Sequence, residues 1–227
     1  MKKIAATFFL LTLPLVSSAA KYESSFIEDL PELSESKTDK SMLEWTSETA
    51  NPLNYETLYI PQPVIILSDK NKYKGVQPNQ KVMMADRVQA VAKAQFADML
   101  EETGSVGKGT LVMNLAITEI IMKKKRSLLG FTPAGALVHA ATSNLEYDDL
   151  EKFAKKIHLK GANLEVELVD GETGELLAVR IIEIEGKTKG SDEESWQALR
   201  GHIERAFERF YVNYAARVEA ARAEAAP

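Results

Sequence analysis

No cysteine occurs in the 227 residues, so whatever this chain folds into is held by packing of apolar side chains alone. Neither a disulfide nor a cysteine-ligated structural metal can contribute. Residues 1–20, MKKIAATFFLLTLPLVSSAA, set Lys2 and Lys3 before a short apolar run, Ile4 to Val16, and then the small residues Ser17, Ser18, Ala19 and Ala20. This is the pattern of a signal peptide cleaved near Ala19 or Ala20. The apolar run is too short to cross ~30 Å of hydrocarbon, and no lipobox cysteine is present to carry a lipid. The expected location is the periplasm, with release beyond the outer membrane the other compartment such a leader permits.

Loss of the leader takes the formal charge from −5 to −7, since those residues hold two lysines and no acid. A net acidic surface is a poor general attractor for nucleic acid. At 45% hydrophobic and 27% charged the chain is globular rather than disordered, and no later run reaches transmembrane length.

Residues 21–56 are polar and acidic with scattered apolar anchors, among them Phe26, Ile27, Leu30, Leu33, Met42 and Trp45. The expected form is an extended arm docking on the domain rather than a flexible spacer. A single domain then spans 57–215, followed by an alanine-rich tail, 216–227. Its first strand is Leu58 to Ser68, where Pro61 and Pro63 cannot donate to a ladder and push the first half to an edge, while Val64 to Leu67 reads as a buried run. A helix from Asn79 to about Thr103 carries one apolar stripe through Met84, Val88, Ala92 and Phe96. Strict alternation predicts strands at Thr110–Met122 and at Ile157–Val169, the latter with Glu165 and Glu167 facing outward. The segment Asp170 to Gly174 reads as a hairpin loop. The next strand, Leu176 to Glu185, breaks alternation at Ile181-Ile182, which suggests a bulge. Ser191 and Glu194 form a capping box for a last helix whose stripe includes Trp196, Leu199, Ile203, Phe207, Phe210 and Tyr214. The expected fold is α+β: a mostly antiparallel sheet of about four strands covered by two long helices, in the order β-α-β-(excursion)-β-β-α.

The excursion, Lys123 to Lys156, exceeds the usual loop length, and long loops are more often functional. It opens with Lys123, Lys124, Lys125 and Arg126, continues through Leu128, Leu129 and Phe131, and turns acidic at Glu146 to Asp149. The plain reading is a solvated loop whose charges balance. The functional reading couples the cations to the apolar residues as a contact for an envelope protein or an anionic membrane surface.

Other motifs fall away. Gly104, Gly107, Lys108 and Gly109 lack the spacing and the strand-to-helix setting of a phosphate loop, so no nucleotide is expected. His139, His158 and His202 show no metal-ligand spacing, and no nucleophile elbow occurs. Glu165 and Glu167 form a carboxylate pair on one strand face that surface solubility explains as well as catalysis does. No catalytic, cofactor-binding or metal residue is assigned.

An ordered series of short motifs resembles an uncharacterised family of bacterial envelope proteins, domain of unknown function 3313. It comprises Phe26-Ile27-Glu28-Asp29-Leu30 with Leu33, then Trp45, then Tyr55 to Pro61 leading into a Pro-Val strand. It continues at Leu115 to Glu119, Pro133 to Ala136, the run from Glu165 to Gly174, and Trp196. The resemblance implies a small α+β domain, commonly tethered as a lipoprotein, with no established catalytic residues to carry over. The missing lipobox cysteine sets this chain apart from tethered members.

The function expected from these readings is non-enzymatic: a periplasmic binding or accessory protein acting through an envelope protein or membrane-surface partner. A carrier of a small apolar or lipid-like ligand, held between the sheet and residues 123–143, stands second, and an envelope hydrolase third. Intact-mass measurement of the expressed protein should find a soluble chain starting at Ala20 or Lys21. An uncleaved, detergent-extracted product is the opposite outcome.

Overall fold

The computed structural model describes residues 22–73, 75–124, 157–185 and 196–225. In chain order the elements are β1 (Ser34–Glu35), β2 (Met42–Thr46), a 3-10 turn at Pro52–Asn54, β3 (Thr57–Tyr59), β4 (Val64–Leu67), α1 (Pro78–Phe96), β5 (Glu101–Glu102), β6 (Thr110–Lys124), β7 (Ile157–Asp170), β8 (Leu176–Glu185) and α2 (Trp196–Ala225). The strands form one eight-stranded sheet in the order β1-β2-β8-β7-β6-β3-β5, with β4 also pairing β6.

This corrects the expected four-stranded, mostly antiparallel sheet. The meander β6-β7-β8 is antiparallel, and so are β1-β2 and β2-β8. However, β3 and β4 run parallel to β6, and β3 also pairs parallel with β5. The parallel pairing of β4 with β6 follows from α1, because a helical crossover returns the next strand in the same direction. The additional strands come from the arm and from two-residue pairs too short to leave a periodic signature. The prolines divide the expected first strand: β3 ends at Tyr59 and β4 begins at Val64, after Pro61 and Pro63. The run Val64–Leu67 lies at an edge rather than in the interior, and Val64 is 43% exposed.

Alternation along β6 holds to Thr118, with Leu111, Met113, Leu115 and Ile117 in the main core. At Glu119 the backbone enters the left-handed region, φ 49°, and the β6-β7 register shifts. One extra residue reverses the faces, so Ile120 and Met122 now point to the same core. No such irregularity occurs at Ile181-Ile182, where pairing with β2 and β7 is continuous; the β7-β8 shift lies at Leu168/Val169. Both isoleucines are apolar because both faces of β8 are covered. Ile182 joins the core beneath the helices, and Ile181 packs with Val179, Ile27 and Leu33 beneath the arm.

α1 starts at Pro78, with the Gln80 side chain accepting from the Gln77 backbone N–H. It ends at Phe96, earlier than expected, because Glu101 and Glu102 leave the helix to pair with β3. α2 runs on through the alanine-rich segment to Ala225, alanine being the strongest helix former. The helices meet around Phe96, whose ring lies 5.3 Å from Phe210, 5.6 Å from Tyr211 and 5.9 Å from Tyr214. In the β7-β8 loop Gly174 takes φ +74°, while at Gly171 a Cβ would stand 2.7 Å from the Thr110 carbonyl oxygen. The Ser191 cap and the Trp196 side chain lie outside the described residues.

Phe96 and Phe207 are fully buried in this core. Phe96→Ala and Phe207→Ala should each lower stability by about 3–5 kcal/mol. A denaturant midpoint unchanged in both variants would place α2 outside the core.

Candidate functional site

On the arm-covered face, Glu165 is 0% exposed, which corrects its expected outward, solvated placement. Three hydroxyls donate to its carboxylate: Tyr22 to Oε1 at 2.9 Å, Thr118 to Oε1 at 2.5 Å and Ser24 to Oε2 at 2.5 Å. Asn163 in turn donates to the Tyr22 hydroxyl at 3.0 Å, and the Ser24 hydroxyl accepts the Phe26 and Ile27 backbone N–H groups. The carboxylate is thus the acceptor that ties the arm to the sheet. Burial, and then the Glu165 charge, push the Tyr22 phenol up to about 12. Two residues along β7, Glu167 accepts from the Asn114 side chain at 2.8 Å. The two acids are therefore not an open carboxylate pair. One is closed under the arm and the other is bound to its neighbour on β6.

On the helix-covered face, Arg180 is 2% exposed and stands directly opposite Glu44 of β2. Its guanidinium donates to the Trp45 and Val179 carbonyls and to the Thr46 hydroxyl, and lies 3.5 Å from Glu44. Asn213 and Arg217 of α2 complete the cluster, Arg217 reaching the same Glu44 oxygen at 3.4 Å. Burial and the Arg217 charge pull the Arg180 guanidinium down to about 10, with Glu44 opposing. A second cation, Arg209, bonds the Ser41 hydroxyl and the Glu183 carbonyl, which holds the β1-β2 turn against α2.

Beside the Arg180 cluster a cleft of about 240 Å3 opens between α2, the 3-10 turn and the sheet. Leu111, Leu168, Leu177, Ala178 and Phe210 make its apolar walls, and Tyr55, Tyr214 and Arg217 supply polar groups. Tyr55 donates to Asp170 at 2.9 Å, whereas the Tyr214 hydroxyl is buried with no hydrogen-bond partner among the described residues. A broader groove of about 410 Å3 between α1 and α2 is lined largely by charge, including Arg87, Glu204 and Glu208.

Of the residues singled out in the sequence, Lys123 and Lys124 occupy the last rungs of the β6-β7 ladder, opposite His158 and Ile157. Lys125, Arg126, Leu128, Leu129 and Phe131 lie outside the described residues, as do His139 and the leader. His202 lies 3.0 Å from Arg205 on α2. Among the described residues no group of His, Asp and Glu is placed to hold a metal ion, and no helix is long and apolar enough to cross a membrane. Sequence reasoning missed Arg180 and Tyr214. For Arg180 a signal existed, since a charge inside LLAVRII, apolar at both parities, has no solvent-facing side to occupy.

Tyr22→Phe should loosen the arm by about 1.5–3 kcal/mol, the range for hydrogen bonds to charged groups. Amide exchange should accelerate at Ile27 and stay slow at Val166. An unfolded tyrosine ionises near 10. The stability that Tyr22 adds is therefore fully present below pH 10 and lost as pH rises through about 12. An alkaline titration in which the Phe variant keeps the parent's pH dependence would count against this tie.

No curated protein matches the sequence significantly. Among solved structures, a DUF4136 family protein from Bacteroides thetaiotaomicron aligns over 78% of this chain and 98% of its own, at 11% identity and TM-score 0.37. The PelC dodecamer from Paraburkholderia phytofirmans aligns over 73% and 94%, at 8% identity and TM-score 0.37. A DUF330 protein from Xanthomonas campestris aligns over 77% and 91%, at 11% identity and TM-score 0.37. The sequence itself matches DUF3313, described as a protein of unknown function, from residue 22 to residue 209. That span takes in the arm, the whole sheet and nearly half of α2, and by it the chain belongs to the DUF3313 family.

Proposed function

We propose that this protein is a non-enzymatic accessory protein of the bacterial cell envelope, exported by residues 1–20, that acts by binding a partner through the segment beginning at Lys123. The observation that carries the reading is the mounting of that segment. β6 and β7 are the longest strands, paired from Leu111–Asp170 to Lys124–Ile157, and the cationic run starts on their last rungs. The paired strands from which this segment departs are a rigid support, and binding segments are commonly carried on such scaffolds. The buried polar groups support the same reading, because Glu165 and Arg180 are spent on the chain's own elements. Exposed large apolar side chains among the described residues are single ones on five different elements or loops: Leu53, Val64, Val82, Val106 and Val212. None of these isolated residues makes a patch of the size that marks a partner surface. The partner is an envelope protein or an anionic membrane surface, met by Lys123, Lys124, Lys125 and Arg126 together with Leu128, Leu129 and Phe131.

Crosslinking in intact cells, followed by identification of the bound proteins and lipids, names the partner. Changing the four cations to serine should leave the melting transition nearly intact, since surface substitutions usually stay within about 0.5 kcal/mol each. Association should weaken, and in the parent it should already fall with salt, as the Debye length contracts from ~10 Å at 0.1 M to ~3 Å at 1 M. Leu129→Ser with Phe131→Ser should lose binding at every salt concentration. Parent-like complementation of a deletion strain by both variants would reduce the excursion to a long loop.

A further inference from the structure

We propose that residues 22–33 form a strap that closes over Glu165 only after the leader is removed, so that cleavage completes the fold as well as freeing the chain. This rests on the export reading of residues 1–20 and adds to it an order of events, the cut first and the closure second.

Residues 22–33 lie on the sheet without entering it. Among the described residues they form no helix or strand, and no backbone–backbone hydrogen bond joins them to any element. Side chains alone hold them. Phe26, Ile27, Leu30 and Leu33 pack with Val179 and Ile181 in a cluster separate from the main core. Their polar anchor on the sheet is Glu165, which is 0% exposed and accepts the Tyr22 hydroxyl at 2.9 Å and the Ser24 hydroxyl at 2.5 Å. A segment with few buried contacts and no ladder of its own opens at lower free energy than the domain that carries it. The strap is thus a separable unit, and its closure is decided at its first residues.

The anchor stands in the middle of the sheet. In the order β1-β2-β8-β7-β6-β3-β5, β7 has three strands on either side, roughly 14 Å of sheet at ~4.8 Å per strand. Tyr22 follows the cleavage point by one or two residues, so at most about 7 Å of extended backbone joins it to the leader. That tether is half the distance to the nearest edge. With the leader in the bilayer and Tyr22 on Glu165, the strap-covered face would be held flat against the headgroups, and the bond to be cut would lie in the closed gap between them. Charge opposes this posture too. Glu23, Glu28, Asp29 and Glu32 are exposed on the strap, no lysine or arginine occurs in 22–33 to offset them, and an anionic bilayer repels them. A lifted strap instead gives twelve residues of free backbone, up to about 40 Å, which carries the domain clear of the surface. The open form is the one a peptidase can cut, and loss of the leader then lets Tyr22 and Ser24 reach Glu165.

Amide exchange tests the order, with Ile27 as reporter because its N–H donates to the Ser24 hydroxyl. The full chain is made by cell-free synthesis onto vesicles of phosphatidylethanolamine and phosphatidylglycerol and compared with the mature chain from Lys21. Ile27 should exchange at least about tenfold more slowly in the mature chain than in the vesicle-bound precursor, with Val166 slow in both. A Gly/Ser spacer of about twelve residues between Ala20 and Lys21, spanning about 20 Å, should restore slow exchange at Ile27 while the leader stays in the bilayer. Glu165→Gln should speed Ile27 roughly tenfold in the mature chain, the worth of a hydrogen bond to a charged group, and leave the precursor unchanged, with Val166 still slow. A precursor that washes off the vesicles, or that signal peptidase does not cut, overturns the export reading and the strap order with it. A bound, cleavable precursor whose Ile27 is already as slow as in the mature chain overturns the strap order alone. So does a spacer that restores nothing, or a Glu165→Gln mature chain that exchanges like the parent.

Discussion

Burial of the β6-β7-β8 meander on both faces is the constraint on which the rest of the structure depends. With no cysteine to staple it, the sheet must gain its stability from apolar area removed from water. One face receives α1 and α2 and holds the main core, from Leu111 and Leu164 to Phe207 and Phe210. The other receives the arm, which lays Ile27 and Leu33 over Val179 and Ile181. The flanking strands β1, β2, β3, β4 and β5 then attach to a centre already covered from both sides.

Two-sided burial creates a difficulty that the chain meets with two charged residues, one per face. Burying a lone charge is expensive, so each is closed by hydrogen bonds from the element that covers it. Glu165 collects the hydroxyls of Tyr22, Ser24 and Thr118, two of them from the arm. Arg180, opposite the neighbouring residue Val166, collects Trp45, Thr46 and Glu44 from β2 and Asn213 from α2. Apolar packing is tolerant of sliding, but these groups are not. A one-residue slip of β8 would turn Arg180 to the apolar face beneath the arm and strand its charge. The two residues therefore define which cover lies on which face and in which register.

The same arrangement explains where chemistry is left over. The polar groups nearest the centre are consumed by the chain itself. The cationic run begins on the last rungs of β6, at Lys123 and Lys124, away from both buried charges.

Local sequence determined a good part of this molecule. Periodicity placed β6, β7, β8 and both helices, because each buries one regular face and the apolar residues recur at the spacing that face imposes. The prolines at 61 and 63 disturb the ladder as expected from their missing N–H, but the one strand read over 58–68 is two, with β3 between β6 and β5 and β4 at the edge. The family, too, was legible, since its short motifs keep their order along the chain and the match runs from residue 22 to 209. Tertiary structure alone decided the rest. The arm's strands β1 and β2 have no periodic signal of their own, and their pairing exists only because β8 offers an open edge. The parallel pairing of β3 and β4 with β6 depends on where α1 crosses, which no local pattern encodes. Glu165 alternates with Leu164 and Val166 as a solvated residue would, and only the arm, arriving from more than a hundred residues away, makes it interior. Tyr214 reads as one more member of a helical stripe. That its hydroxyl is buried without a hydrogen-bond partner among the described residues is a property of the packing around it.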